Sequence, residues 1–127
     1  MNRFILALLA TLIFNSLNPL FAQDFDKGLA AFTDGNYATA LKEWEPLAEQ
    51  GRADAQNNLG VMYENGEGVP QDFIIGYMWL NLAGANGDTT APKAKDIVAK
   101  VMSQADISKA QAMSSACFSQ DYKNCGY

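Results

Sequence analysis

The chain reads as an all-α fold, a solenoid of about three antiparallel helix pairs, and three observations lead there. Two stretches thirty-six residues apart repeat one another: Tyr37, Ala40, Leu41, Trp44, Leu47, Ala48, Gly51, and then Phe73, Gly76, Tyr77, Leu80, Ala83, Gly84, Gly87. From residue 24 onward apolar residues recur at helical spacing, with no sustained period-two alternation. Glycines stand where the helices should stop. Self-similarity at this period marks stacked helical hairpins, in which each unit covers the apolar face of the next.

Residues 1–22 are expected to stand outside the fold. Arg3 supplies a positive start, Phe4 to Phe14 is an almost unbroken apolar run, and Leu20-Phe21-Ala22 precedes Gln23. That order is the one found in a cleaved secretory signal peptide. The run is shorter than the roughly 20 residues that cross a bilayer, and Pro19 interrupts its end. Cleavage after Ala22 would leave one domain, Gln23 to Tyr127, with no integral membrane segment, periplasmic or secreted.

The first helix is expected from about Asp24 to Asp34, with Phe25, Leu29 and Phe32 on its inner face; Gly35 stops it and Asn36 caps the next. The second spans about Tyr37 to Gln50, with Pro46 inside it and Gly51 after it. The third covers Ala53 to Asn65, with Ala55, Leu59, Met62 and Tyr63 inward. Two glycines and a proline make residues 66–71 a loop. Asp72 then caps a fourth helix, Phe73 to Ala85, so apolar on most faces that it must lie between neighbours. A fifth helix, about Ala91 to Met102, starts at Thr90 with Pro92 in its first turn. Ser103 and Asp106 form a capping-box pattern that opens a sixth, Gln104 to Phe118. The last two are more polar, as suits the end of a stack.

Composition excludes several functions. Removing residues 1–22 takes Arg3 with it, leaving eight Lys and Arg against fourteen Asp and Glu, a formal charge of −6. An acidic surface repels phosphate backbones, which argues against nucleic-acid partners. Cys117 and Cys125 are the two cysteines. In an exported protein a nearby pair forms a disulfide rather than a metal or redox site, and this one would tack the chain end onto the last helix.

The run from Ala53 through Asn57-Asn58-Leu59-Gly60, Tyr63, Gly66-Glu67-Gly68-Val69 and Asp72-Phe73 carries a family likeness. It continues through Gly76, Trp79, Ala83, Gly84 and Gly87, and it resembles the Sel1-like repeat over residues 53–88. Residues 24–51 resemble a shorter, tetratricopeptide-like unit, and residues 89–127 a degenerate capping pair that carries the disulfide. The resemblance implies a right-handed superhelix of helix pairs and a scaffold or adaptor role, as in exported bacterial members.

Chemistry is sparse. There is no histidine, and with it go the commonest general base and zinc ligand. No nucleophile elbow, phosphate-binding glycine loop or calcium loop is present. Asp24 with Asp26, and Glu64 with Glu67, read as solvated helix-end charges rather than paired catalytic carboxylates. Neither enzyme chemistry nor a cofactor or metal is expected. Trp44, Trp79, Tyr63, Phe73 and Tyr77 fall on repeat or core positions, which favours packing over stacking on sugars.

A groove remains. The first helix of each pair should line one side of the stack, exposing Asp54, Asn57, Val61, Glu64 and Asn65, with Asp26, Ala30, Thr33 and Asp34 from the preceding unit. Lys93 and Lys100 would border its far end. The expected function is non-enzymatic binding of a protein or peptide partner in the cell envelope, with self-association also in view. The alternative is a cell-wall or polysaccharide binder with weak hydrolytic activity.

Overall fold

The computed structural model describes residues 23–125, so the signal-peptide reading of residues 1–22 lies outside the described residues. Within them the chain is all-helical: α1 Phe25–Thr33, α2 Tyr37–Glu49, α3 Ala53–Asn65, α4 Phe73–Ala85, α5 Ala91–Ala99 and α6 Gln104–Ser119. Consecutive helices pack in order from α1 to α4; α5 and α6 then both lie against α4.

The internal repeat is a repeat of structure. Helices α2 and α4 have thirteen residues each and begin thirty-six residues apart. Their exits match bond for bond. Gly51 N–H donates to Ala48 and Arg52 N–H to Leu47; thirty-six residues on, Gly87 N–H donates to Gly84 and Asp88 N–H to Ala83. Gly51 and Gly87 take φ of +85° and +99°, a left-handed conformation that side chains with a Cβ resist.

Local capping sets most helix starts. Asp24 Oδ1 accepts from the N–H groups of Asp26 and Lys27, Asn36 Oδ1 from Thr39, Asp72 Oδ1 from Ile75, and Ser103 Oγ from Asp106. Helix α5 starts where expected, with Thr90 before its first residue and Pro92 in its first turn, but its start is capped from further back. Thr90 is itself helical and caps nothing with its side chain; Asp88 Oδ1 takes the N–H groups of Thr90 and Ala91, both at 2.8 Å. This helix also ends three residues early, because Lys100, Val101 and Met102 close tighter turns onto Ile97, Val98 and Ala99.

The core is centred on Trp44, Leu59, Met62, Met78, Trp79 and Leu80, all essentially inaccessible to solvent. As its composition requires, α4 is enclosed by α3, α5 and α6. Helices α3 and α4 cross closely: a Cβ on Gly76 would stand 3.1 Å from the Gly60 carbonyl, and one on Gly60 2.7 Å from Leu80 Cγ. Cys117 and Cys125 are bonded, with Cα atoms 4.5 Å apart, and Tyr122 N–H donates to the Cys117 carbonyl.

One expectation about the core is corrected. Phe25 and Phe32 lie partly buried against the Trp44 cluster, but Leu29 is 46% exposed, and the fully buried positions of α1 are Gly28 and Ala31. The cause is the Trp44 indole, which fills the space over Gly28, with Cδ1 2.8 Å from where a Cβ would stand. Its Nε1–H donates to the Phe25 carbonyl at 3.1 Å.

Candidate functional site

Between α1 and α3, over Trp44 of α2, lies a small open hollow of about 100 Å³ lined by Leu29, Phe32, Trp44, Asn58 and Val61. Leu29 and Phe32 stand one helical turn apart on α1, and Asn58 and Val61 one turn apart on α3, so two parallel rows form its walls. Asn58 is the one side-chain amide in the lining. A mostly apolar recess with few polar groups is the usual form of a binding site.

Charges gather at the N-terminal ends of the walls. Arg52 holds Asp54 through two bonds, Nε to Oδ1 at 2.7 Å and a terminal nitrogen to Oδ2 at 3.1 Å. Its guanidinium lies over the Phe25 ring, 4.4 Å from the centroid, within electrostatic reach of Asp26 and Asp24. Arg52 thus bonds one carboxylate and is attracted by two more. Deeper between α1 and α2, buried Glu43 takes Lys27 Nζ at 2.8 Å and the Asp24 N–H at 2.9 Å, and the Lys27 bond holds its pKa below the ordinary carboxylate value.

The six residues read from the sequence as a binding row separate into four settings. Val61 lines the hollow, while Asn57, half-buried beside it, keeps Oδ1 inaccessible without a hydrogen bond. Asp26 and Asp54 flank the arginine, and Asn65 is exposed at the end of α3. Glu64 departs from expectation. Its side chain is folded onto α4, with Cγ 2.9 Å from where a Gly76 Cβ would stand, and Oε1 is inaccessible without a partner. Desolvation pushes its pKa up to about 7, so it is not a solvated helix-end charge. Glu67 Oε2 is likewise enclosed.

Sequence reasoning did not include Leu29, Phe32, Trp44 or Asn58 in the site. The signal available was the polar Asn58 beside Asn57, which sits one position away from the assumed exposed row. A second opening, between α4 and α6, is lined by Asn81, Leu82, Ala85, Ser114, Ser115 and Phe118. Neither hollow has a carboxylate in its lining. Among the described residues no cluster of three or more His, Cys, Asp or Glu is placed to hold a metal, and no helix is long and apolar enough to cross a membrane.

Residues 53–88 match the Sel1 repeat. The Sel1 repeat therefore comprises α3, the 66–72 loop and α4 through Asp88, and α3 supplies one wall of the hollow. Its loop is fixed by Gly66 in the left-handed region, by Asp72 N–H on the Tyr63 carbonyl at 2.9 Å, and by Gln71 Nε2 on the Glu64 carbonyl at 2.7 Å. Sel1 repeats generally mediate protein–protein interaction and are typically non-enzymatic scaffolds. No curated protein matches the chain significantly.

Proposed function

We propose that this chain is an exported, non-enzymatic helical-repeat protein that holds a protein or peptide partner in the cell envelope, with the α1/α3 hollow as its binding surface. The observation that carries this reading is the hollow itself. Leu29 stands 46% exposed at its edge, Trp44 floors it, and one wall belongs to the Sel1 repeat. An aliphatic side chain left in water beside a recess gains by being covered.

Export is supported by the charge and apolar pattern of residues 1–22 and by the bonded cysteine pair, which persists in oxidising compartments. The polysaccharide alternative finds less support. Sugar binding by stacking needs exposed aromatic faces; Trp44, Trp79, Tyr63 and Tyr77 are buried, and the exposed Phe118 stands at the second opening, away from the α1/α3 hollow. Hydrolysis by paired carboxylates needs two acids across a cleft, and neither hollow is lined by one.

The test places a photo-crosslinking residue at Val61 in the full chain in cells, with Lys109 on exposed α6 as the control position. The expected result is a discrete adduct from position 61 that Leu29→Asp abolishes. Equal labelling from both positions would overturn the assignment of the hollow.

A further inference from the structure

The end of the stack opposite the hollow carries a complementary feature. Lys93 and Ile97 stand one turn apart on α5, and Lys100 and Val101 follow in the tighter turns at its exit, Lys100 N–H closing onto the Ile97 carbonyl. All four are exposed, and Ile97 and Val101, at 58% and 66%, are two of the four exposed large apolar side chains among the described residues, with Phe118 and Leu29. Asp96 is the one carboxylate on this helix. A short apolar ridge is thus bracketed by two lysines.

The hollow has the opposite arrangement. Its α1 wall is bracketed by Asp24 and Asp26 at the start of the helix and Asp34 at its end. Asp26 and Asp34 are eight residues apart and Lys93 and Lys100 seven, so the two brackets have similar spans. The imbalance extends to the whole molecule: residues 24–72 carry a formal charge of −7, residues 73–125 a charge of +1. Helix α1 packs on α2, and α5 on α4 with a smaller contact to α3, so the α1 wall and the ridge belong to different helix pairs of one molecule.

We propose that a second copy of this chain inserts the lysine-bracketed ridge of its α5 into the α1/α3 hollow, so that copies associate head to tail. This rests on the reading of the hollow as a binding surface and names its occupant. Charge decides against pairing hollow on hollow, because that would set the acidic ends of the two α1 walls against one another. A heterologous contact leaves one free hollow and one free ridge at the ends of every assembly, so growth continues with concentration. The exposed charge pairs weaken as salt rises.

Sedimentation of the purified protein from micromolar to millimolar concentration tests this. Leu29→Asp removes the hollow's apolar edge, and the double variant Ile97→Asp/Val101→Asp removes the ridge. All three positions are exposed, and far-UV circular dichroism with a thermal melt checks that each variant keeps its fold. The wild type is expected to at least double its average mass with concentration and to lose that gain in high salt. Each variant alone stays monomeric. An equimolar mixture of the two forms a one-to-one complex and stops, since it holds one intact hollow and one intact ridge. A wild type that stays monomeric, or variants that associate alone or fail to pair when mixed, overturns the proposal. If the wild type is monomeric while position 61 still crosslinks a different protein, the second copy is wrong and the hollow stands. If both measurements fail, both readings fall.

Discussion

Asn86 donates its side-chain amide to Gln56 across the open end of the Sel1 repeat, Nδ2 to Oε1 at 2.9 Å. Gln56, wholly buried, donates its own amide to the Ala48 carbonyl at 3.0 Å, and Tyr122 donates its hydroxyl to Asn86 Oδ1 at 3.0 Å. One chain of hydrogen bonds therefore ties α2, α3, the end of α4 and the disulfide-anchored tail. No member of it was singled out from the sequence for this role, yet it joins parts of the chain from residue 48 to residue 122.

Replacing Gln56 by Ala leaves the Ala48 carbonyl and the Asn86 amide facing a buried gap. The expected loss is about 2–3 kcal/mol, since each orphaned buried group costs about 1–3 kcal/mol. In a domain of this size that lowers the melting temperature by roughly 10–20 °C. Calorimetry on Gln56→Ala checks it, and Gln56→Glu should not restore the loss, because a carboxylate cannot donate to Ala48.

A second prediction concerns a sign. Glycine to alanine inside a helix ordinarily stabilises by about 0.5–1 kcal/mol. At Gly76 the new Cβ meets the Gly60 carbonyl and the Glu64 side chain where α3 and α4 cross. Gly76→Ala is therefore expected to destabilise by about 1–3 kcal/mol, the usual range for overpacking. Denaturant melts decide it: a raised midpoint would mean that α3 and α4 are free to separate.

The raised pKa of Glu64 makes stability depend on pH in a stated direction. Folded Glu64 titrates near 7, above its unfolded value, so between roughly pH 4 and 7 the folded state holds the extra proton. Its contribution is most favourable below the unfolded pKa and is lost as pH rises through the folded one. Burial raises the pKa of Glu45 too, which acts in the same direction, whereas the lowered Glu43 acts oppositely. Glu64→Gln removes only the Glu64 part. It should gain about 1–2 kcal/mol at pH 8, discounted for partial solvent access, and almost nothing at pH 4. Urea melts of both proteins across pH provide the difference; parallel curves would place the Glu64 carboxylate in water.

Breaking the disulfide should loosen one end of the molecule before the rest. Cys117→Ala/Cys125→Ala is expected to cost about 2–3 kcal/mol through release of a short closed loop. Hydrogen exchange should quicken first at Tyr122, whose N–H is held by the Cys117 carbonyl, and leave Leu59 and Met62 slow. Uniform acceleration would mean that the tail supports the whole core.

Legibility differed between helices for physical reasons. The bounds of α3 and α4 were read without error, because a left-handed glycine after one and an aspartate cap before the other act within a few residues. The stop of α5 was missed, since tighter turns at residues 100–102 leave no signature in residue type. At the candidate site, Val61 was legible from helical spacing, but Asn58 and Leu29 were not. Leu29 has the side chain of a core residue, and only the bulk of Trp44 over Gly28 holds α1 so that Leu29 stands at the edge.

The sequence by itself determined the six helices, the repeat of thirty-six residues and the cysteine pairing. These follow from periodicity, caps and glycines, all of which act on neighbours along the chain. Only the tertiary structure decided which polar groups are buried and which apolar ones are left in water. Gln56 lies three residues from the start and Glu64 one from the end of the same helix; one is paired as both donor and acceptor, and the other holds an unpaired oxygen against Gly76. What separates them is the partner helix α4, which brings an amide to the first and a bare glycine to the second.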